Sequence, residues 1–316
     1  MNSPDKAVLL IGFGGPKSLS ETRPFLEHVL QGVNIPEERF KEVLHHYEVI
    51  GGVSPYIGYT EKQKSALEAQ LQNENISMPV WAGYRHSKPF FRDIFLELKA
   101  KGIQKVIGFV LSPLRSYSSF GKYTEAVEVG RKEAGAEGME IVYTEPFYLN
   151  PLFIEAQADR IKETIASIPK EEAEKTFFIF SAHSIPVEID RRGDPGGHET
   201  RPYSEQFKMT AALICETLGI KDWAVAYQSR SGNPRDPWLE PSVEEAMERI
   251  DRKLFKNVLV TPSGFLCDNV EVLYDLDIEA KEKARQLGLG YFRAKTVMDH
   301  PKFIALMATL VKKTRG

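Results

Sequence analysis

Four carboxylates are regularly spaced in one segment near the end of this 316-residue chain. If residues 268–279 form an α-helix, then Asp268, Glu271, Asp275 and Glu279 lie within an arc of about 80°. Most of the remaining circumference is apolar, interrupted only by Asp277, which predicts a largely buried helix. Buried carboxylates repel one another and lose solvation, so one or several divalent cations would be natural partners. By spacing alone, a solvated acidic face is the more common meaning of such a pattern.

A histidine is the second candidate for chemistry. His183 follows the apolar run 177–180, where a buried strand would open into a loop. An imidazole there can be a general base or a metal ligand, although it can also simply hydrogen-bond to backbone at the strand end. The adjacent Ser181 and Ser184 do not form the G-x-S-x-G nucleophile elbow, which argues against a serine hydrolase.

The glycine-rich segment 12–15 does not have the G-x-G-x-x-G spacing of a dinucleotide site, and Pro16 follows it directly. It predicts a turn at a strand end, where glycine allows a flat or bulky ligand to approach the backbone. The chain also lacks a phosphate-binding loop with the G-x-x-x-x-G-K-[ST] pattern. We therefore expect no nucleotide cofactor.

Composition excludes several classes of protein. A net charge of −3 without long basic runs argues against nucleic-acid binding. The apolar runs are strand-sized, well below a membrane span, and residues 1–15 do not resemble a signal peptide. Two cysteines, Cys215 and Cys267, are compatible with a reducing cytoplasm and are too few for a four-cysteine zinc site or iron–sulfur cluster. We therefore expect a cytoplasmic protein.

Short apolar runs alternate with amphipathic stretches along the whole chain, which is typical of parallel sheets covered by helices. The predicted strands are 7–13, 79–84, 105–111, 141–144, 176–182, 223–228 and 257–261. The predicted helices are 20–31, 37–48, 61–71, 89–101, 121–135, 151–168, 203–218, 243–253, 269–286 and 301–314.

A charged, proline-containing stretch at residues 168–175 precedes a strong new strand and predicts a domain boundary. The fold class is thus α/β, with two similar doubly wound domains at residues 1–168 and 169–316, each with about four strands. The last helix is expected to pack back on the first domain. Because ligands of such sheets bind at the carboxyl ends of strands, His183 and the acidic helix are expected near one site.

With those positions set, the chain resembles a ferrochelatase, the family that inserts ferrous iron into a porphyrin in haem synthesis. The resemblance covers nearly the whole chain, and its specificity comes from the combination of motifs. The matching motifs are residues 14–16, 50–55, 181–186, 192–195, 228–229, 237–239 and 268–279. It implies two Rossmann-like domains of the chelatase type, with the macrocycle held in a cleft between them.

The resemblance also implies roles for particular residues. His183 and Glu271 are expected to be the metal-site and proton-transfer pair, followed by Asp275 and Glu279. Glu271, Asp275 and Glu279 together are called the acidic row below. Ser54, Tyr123 and Phe13 are expected to contact the porphyrin.

The sequence departs from the family pattern at the substrate end. Phe13 stands where some bacterial relatives have a tyrosine, and a phenylalanine cannot ligate iron. Arginines that meet substrate carboxylates in several relatives are absent around residues 30–33 and 45–46, so the choice between coproporphyrin III and protoporphyrin IX is open. His46 or Arg115 are candidate substitutes. Residues 196–200 resemble a small insertion without an assigned role.

Two other functions stay open at this point. The chain could load cobalt or nickel into a related tetrapyrrole, or it could bind a tetrapyrrole or metal without catalysis. The expected partners are a porphyrin and ferrous iron as substrates, transient contacts with other haem-pathway enzymes, and no nucleic acid. A peripheral position at the membrane is compatible with the apolar stripe of the first helix.

Overall fold

The structure, a computed structural model, describes residues 5–31, 37–193, 199–230 and 236–315. It contains two parallel four-stranded sheets with the strand orders β2-β1-β3-β4 and β6-β5-β7-β8. The first sheet consists of β1 (Lys6–Gly12), β2 (Val80–Tyr84), β3 (Lys105–Val110) and β4 (Glu140–Tyr143). The second consists of β5 (Thr176–His183), β6 (Trp223–Gln228), β7 (Asn257–Thr261) and β8 (Gly290–Arg293). The two sheets have the same topology, which confirms the predicted α/β class with similar halves.

Helices connect the strands and cover both faces. The α-helices of the first half are α1 (Leu19–Val29), α2 (Glu37–Val49), α3 (Tyr56–Asn73), α4 (Phe91–Ala100), α5 (Lys122–Glu133) and α6 (Pro151–Ile165). Those of the second half are α7 (Lys170–Ala173), α8 (Val187–Arg192), α9 (Tyr203–Leu218), α10 (Val243–Glu248), α11 (Lys281–Gln286) and α12 (Pro301–Thr314). Two segments are π-helices, π1 (Tyr117–Gly121) and π2 (Val272–Ala280).

Local sequence explains where several elements begin. Asn150 accepts a hydrogen bond from the backbone N–H of Leu152, and Pro151 occupies the first turn of α6. His300 and Pro301 begin α12 in the same way. The central strand β1 is fully buried at residues 7–11, because helices cover both faces of a parallel sheet.

The last helix packs against the first sheet. Phe303 and Met307 of α12 are fully buried in one cluster with Val8, Leu10 and Phe109 of β1 and β3. The C-terminal helix therefore completes the N-terminal core, as predicted. The domain boundary at residue 168 stays a prediction. Within the described part of the chain, none of the helices combines the length and the apolar character needed to span a membrane.

Two predictions about the end of the chain were wrong or incomplete. Strand β8 was not predicted, because its four residues are half-buried or exposed at a sheet edge and carry no continuous apolar run. Residues 269–286 were predicted to be an α-helix, but nine of them form the π-helix π2. The predicted bounds of the helical segment agree with the structure, but the prediction of α-helical hydrogen bonding is wrong for residues 272–280.

Candidate active site

His183 and Glu271 come together at the carboxyl ends of two neighbouring strands. His183 ends β5, and β5 pairs with β7, the strand that precedes the turn leading to Glu271. The Nε2 atom of His183 lies 3.4 Å from Oε1 of Glu271. A Cβ atom on Gly264 would lie 2.4 Å from the Cβ of Ala182, so only glycine lets the loop after β7 approach β5 this closely. The predicted proximity of His183 and Glu271 is met.

Glu271 makes His183 a strong base. Burial by itself lowers the pKa of His183, but the charge and hydrogen bond of Glu271 outweigh it and raise the pKa to about 9. The Nδ1 atom of His183 faces the backbone carbonyl of Ser184 and therefore donates to it, which directs Nε2 at Glu271. In the metal-free protein, His183 is therefore an imidazolium at neutral pH.

This coupling predicts a measurable change when the charge of Glu271 is removed. In metal-free Glu271→Gln, the pKa of His183 should fall from about 9, because the lowering by burial remains and the charge of Glu271, the strongest cause that raises it, is gone. NMR titration of the ring protons would measure it. In the parent, the pair's contribution to stability should be complete below pH 6.5 and lost as the pH rises through about 9. An unchanged pKa in the variant would contradict this coupling.

Asp275 lies one turn beyond Glu271 and holds its proton near neutral pH. Burial, together with the charges of Glu271 and Glu279, raises its pKa to about 7, against a hydrogen bond from Ser229 that lowers it. The Ser229 hydroxyl donates to Asp275 from a left-handed backbone conformation with φ +60°, and Gln228 Nε2 donates from 3.3 Å. A non-glycine residue adopts that conformation only when its surroundings hold it there.

The two serines beside His183 have structural partners. Ser181 is fully buried and donates to Oε1 of Gln228 at 2.9 Å, and Ser184 donates to the carbonyl of Leu239 at 2.9 Å. Gln228 in turn donates to the carbonyl of Glu271 at 3.2 Å. Ser181 therefore orients a residue that supports the acidic row, which agrees with the argument against a serine hydrolase.

The acidic row is an array rather than a single metal site. Glu279 is exposed at the outer end, whereas Asp275 is half-buried. Among the described residues, no three His, Cys, Asp or Glu side chains converge as one metal-binding group. The prediction that His183, Glu271, Asp275 and Glu279 contact a metal therefore concerns successive positions and stays a prediction.

Two tyrosines of the first half lie within electrostatic range of Glu271. Burial raises the pKa of Tyr123 on α5, and the charge of Glu271 raises it further, while Arg85 opposes them. Tyr47 on α2 is affected in the same way by burial and then by Glu271. Both hydroxyls thus stay protonated beside Glu271. Tyr123 was predicted; Tyr47 was missed, although it directly follows the two histidines at residues 45–46.

The other two predicted porphyrin contacts lie at the carboxyl end of β1. The ring of Phe13 lies 4.6 Å from that of His86 and 6.1 Å from that of Phe25, between centroids. Burial lowers the pKa of His86 to about 3, with Arg85 and His28 adding to the effect, so its ring is neutral. Phe13 therefore lies among aromatic rings, including a neutral His86, and such a surface suits a flat macrocycle.

Ser54 packs against the glycine turn. A Cβ atom on Gly15 would lie 2.7 Å from the Cβ of Ser54, and a Cβ atom on Gly14, which has φ +98°, would lie 3.1 Å from the Cβ of Ser87. The hydroxyl of Ser54 accepts a hydrogen bond from the backbone of Tyr56 at 3.4 Å. Both glycines are required by close approach, as the sequence predicted. The contact of Ser54 with a porphyrin stays a prediction.

His46 and Arg115, the two candidate partners for the carboxylates of the substrate, differ in position. His46 stacks on Tyr274 of π2, with centroids 3.7 Å apart and 12° between the rings, and so bridges the two halves near the acidic row. Arg115 is buried, donates to the carbonyl of Thr144 and lies 4.0 Å above the ring of Phe120. That position disfavours Arg115 as a substrate contact. Residues 32–33 of the segment without arginines, and residues 196–198 of the insertion, fall outside the described residues.

Comparison with known proteins agrees with this geometry. The ferrochelatase family model matches residues 5–315. The chain belongs to the ferrochelatase family. It is therefore an enzyme that inserts ferrous iron into a porphyrin in haem biosynthesis, with iron and porphyrin as its substrates.

Among the relatives of this ferrochelatase is the coproporphyrin III ferrochelatase of Mycolicibacterium vanbaalenii. The two are 36% identical over 310 residues, which are 98% of this chain and 90% of that one. The ferrochelatase of Rhodopirellula baltica is 36% identical over 315 residues, 99% of this chain and 87% of the relative.

A solved structure has the same fold. The chelatase SirB from Bacillus subtilis, determined with Fe³⁺, superposes with a TM-score of 0.59 over 98% of this chain and 96% of its own, at 13% identity. That identity supports the fold alone, which is the predicted two-domain chelatase type.

Proposed function

We propose that this ferrochelatase acts on coproporphyrin III, and that His183 and Glu271 handle both the iron and the pyrrole protons. The observation that carries the proposal is the 3.4 Å pair of His183 and Glu271, with Tyr123 of the first half within electrostatic range of Glu271. Phe13 packs against the apolar cluster that contains Tyr123, and these two residues are called the porphyrin wall below. An imidazole and carboxylates suit a ferrous ion that must be passed on, whereas thiolates would hold it more tightly.

The proton balance follows from the charges at the pair. Insertion of Fe²⁺ releases two pyrrole protons, yet metal-free His183 is already protonated at neutral pH. An approaching Fe²⁺ beside Glu271 repels the imidazolium proton and lowers the pKa of His183. The neutral imidazole can then accept pyrrole protons one at a time. Binding of the rest of the macrocycle can supply roughly 1–5 kcal/mol to bend the ring, which exposes its nitrogens.

Asp275 and Glu279 are proposed to connect this pair with solvent. The pKa of Asp275 is near 7, so it can both accept and release a proton at neutral pH. Glu279 is exposed at the outer end of the row. The same carboxylates can attract Fe²⁺ on its way inward. Protons leaving and iron entering would thus use one path.

Coproporphyrin III is favoured by the relatives and by charge. Several relatives at 34–37% identity are coproporphyrin III ferrochelatases. Coproporphyrin III carries more carboxylates than protoporphyrin IX, and Arg85 lies within electrostatic range of Tyr123 on the proposed porphyrin wall. A cation at this wall favours the more anionic substrate.

The chain's own cysteines support the absence of an iron–sulfur cluster. It has two, Cys215 and Cys267, both buried and free, whereas an all-cysteine iron–sulfur cluster requires four thiolates. We infer a cytoplasmic enzyme that exchanges substrate and product with other haem-pathway enzymes through transient contacts.

The substrate proposal is tested by anaerobic Fe²⁺ insertion with both porphyrins in parallel. We expect kcat/KM for coproporphyrin III to exceed that for protoporphyrin IX by roughly 10- to 100-fold, the value of one charge-assisted hydrogen bond. Arg85→Gln should reduce the ratio of kcat/KM for coproporphyrin III to kcat/KM for protoporphyrin IX. A preference for protoporphyrin IX would contradict the substrate assignment. Parallel assays with Co²⁺ and Ni²⁺ would detect a different metal specificity.

A further inference from the structure

A tyrosine on the edge strand β8 contacts the middle of the π-helix. Tyr291 donates its hydroxyl to the backbone carbonyl of Leu276 at 2.6 Å. Leu276 is fully buried within π2, and Tyr291 packs against the same apolar cluster. A π-helix is rare because its hydrogen bonds span one residue more than those of an α-helix, and a side chain that bonds to a mid-helix carbonyl is a known cause of such irregularity.

An arginine of the same strand holds the helix by two carboxylates. Arg293 donates Nε and Nη2 to Asp277 at 2.6 and 2.9 Å. It donates Nη2 and Nη1 to Asp268 at 3.1 and 3.3 Å, and Thr296 donates to the same carboxylate. Asp268 and Asp277 are the two acidic residues of the segment that lie outside the acidic row.

The opposite edge of the sheet holds the helix from the other side. The residue before Leu276 is Asp275, which accepts hydrogen bonds from Gln228 and Ser229 at the end of β6. β6 and β8 are the two edge strands of the second sheet. Consecutive residues of π2 are therefore held to opposite edges, which restricts rotation of the helix about its axis.

We propose that Tyr291 and Arg293 are positioning residues that maintain the π winding of Val272–Ala280, and thereby the alignment of Asp275 and Glu279 with His183 and Glu271. These two residues are called the β8 clamp. The inference rests on the proposed role of the acidic row. If the nine residues relaxed to an α-helix, Glu279 would turn relative to Glu271 by roughly 100° or more, about one residue's arc. The row would still begin at Glu271, but Asp275 and Glu279 would lie on a different side of the helix from the one that they occupy in π2.

The test uses Tyr291→Phe, which removes only the hydroxyl, and Arg293→Lys, which keeps the charge and loses the planar fork. Steady-state kinetics should be measured under anaerobic conditions with Fe²⁺ and porphyrin varied separately. We expect the KM for Fe²⁺ to rise about 10-fold or more, as is usual when the partners of metal-handling residues are removed. The dissociation constant of the porphyrin, measured by fluorescence, should stay unchanged, because the proposed porphyrin wall belongs to the first half.

Arg160→Lys is the matched control. Arg160 is also a largely buried arginine, donating to the carbonyl of Val297 at 3.2 Å and pairing with Glu163 at 3.1 Å, on α6. The Arg160→Lys variant should have a lower melting temperature than the parent and an unchanged KM for Fe²⁺. If both β8 variants behave like this control, their role is only structural and the proposal is overturned.

Hydrogen exchange separates this proposal from the proposed function. Backbone amides of residues 272–280 should exchange faster in Tyr291→Phe than in the parent, while those of α12 should not change. If the parent inserted no iron, the proposed function would fail, and the exchange of these amides would still decide whether the β8 clamp maintains π2. Unchanged exchange there would overturn the clamp.

Discussion

Replacement of His183 by alanine is expected to lower kcat for iron insertion by about 10²–10⁴-fold, the usual contribution of a positioned base. His183 ends the buried strand β5 and its Nε2 faces Glu271 at 3.4 Å. In the proposed mechanism, the variant lacks the imidazole that accepts the pyrrole protons. The loss should appear at saturating concentrations of both substrates, measured anaerobically from the absorbance of the metalloporphyrin.

A matched control separates chemistry from folding. His300→Ala removes another half-buried histidine, one that begins α12 and lies 3.7 Å from Asp159. It should cost about 0.5–2 kcal/mol of stability through the lost helix cap while leaving kcat unchanged. His183→Ala should keep its circular dichroism and its affinity for porphyrin. Turnover near that of the parent in His183→Ala would remove His183 from the mechanism.

Glu271→Gln should be nearly as damaging, with a loss in kcat of about 10²-fold or more. The amide has the shape of the carboxylate but lacks the charge that raises the pKa of His183 and attracts Fe²⁺. Because His183 and Glu271 act as one unit, the double variant His183→Ala/Glu271→Gln should be about as slow as the slower single variant. The measurement is the same anaerobic assay, made on all three variants and the parent.

Glu279→Gln is the informative comparison for Glu271→Gln. Glu279→Gln removes a charge at the exposed end of the same row. It should therefore raise the KM for Fe²⁺ and have little effect on kcat at saturating iron. Equal losses in the two variants at saturating iron would contradict the division between chemistry and delivery. Fully additive losses in the double variant would show that His183 and Glu271 act separately.

The two halves contribute different kinds of side chain to the proposed site. The first half contributes aromatic residues such as Phe13 and Tyr123, which suit a flat macrocycle. The second half contributes His183 and the acidic row, which are proposed to exchange protons and metal. The stack of His46 on Tyr274 joins the two halves beside the acidic row. Small shifts between the halves would therefore alter how the macrocycle faces the His183–Glu271 pair.

Much of the fold followed from the sequence, because it depends on local patterns. Fully buried strands such as β1 and β5 show up as continuous apolar runs, and amphipathic stretches between them predict a parallel sheet covered by helices. The position of His183 at a strand end, and its proximity to Glu271, followed from the same pattern. The roles of Ser54 and Tyr123 came only from family resemblance, since nothing local distinguishes them.

Tertiary structure alone decided the winding of π2 and the assignments of Asp268 and Asp277. When the sequence is wound as an α-helix, Asp268 lies on the same face as the acidic row, and Asp277 is a charged residue on the apolar face. The structure pairs both with Arg293, 25 and 16 residues further along the chain. π winding and side-chain pairing of this kind arise from contacts between distant segments, here β6, β8 and π2, and no local periodicity encodes them. For the same reason Tyr47 was missed, because its proximity to Glu271 exists only once the two halves are packed together.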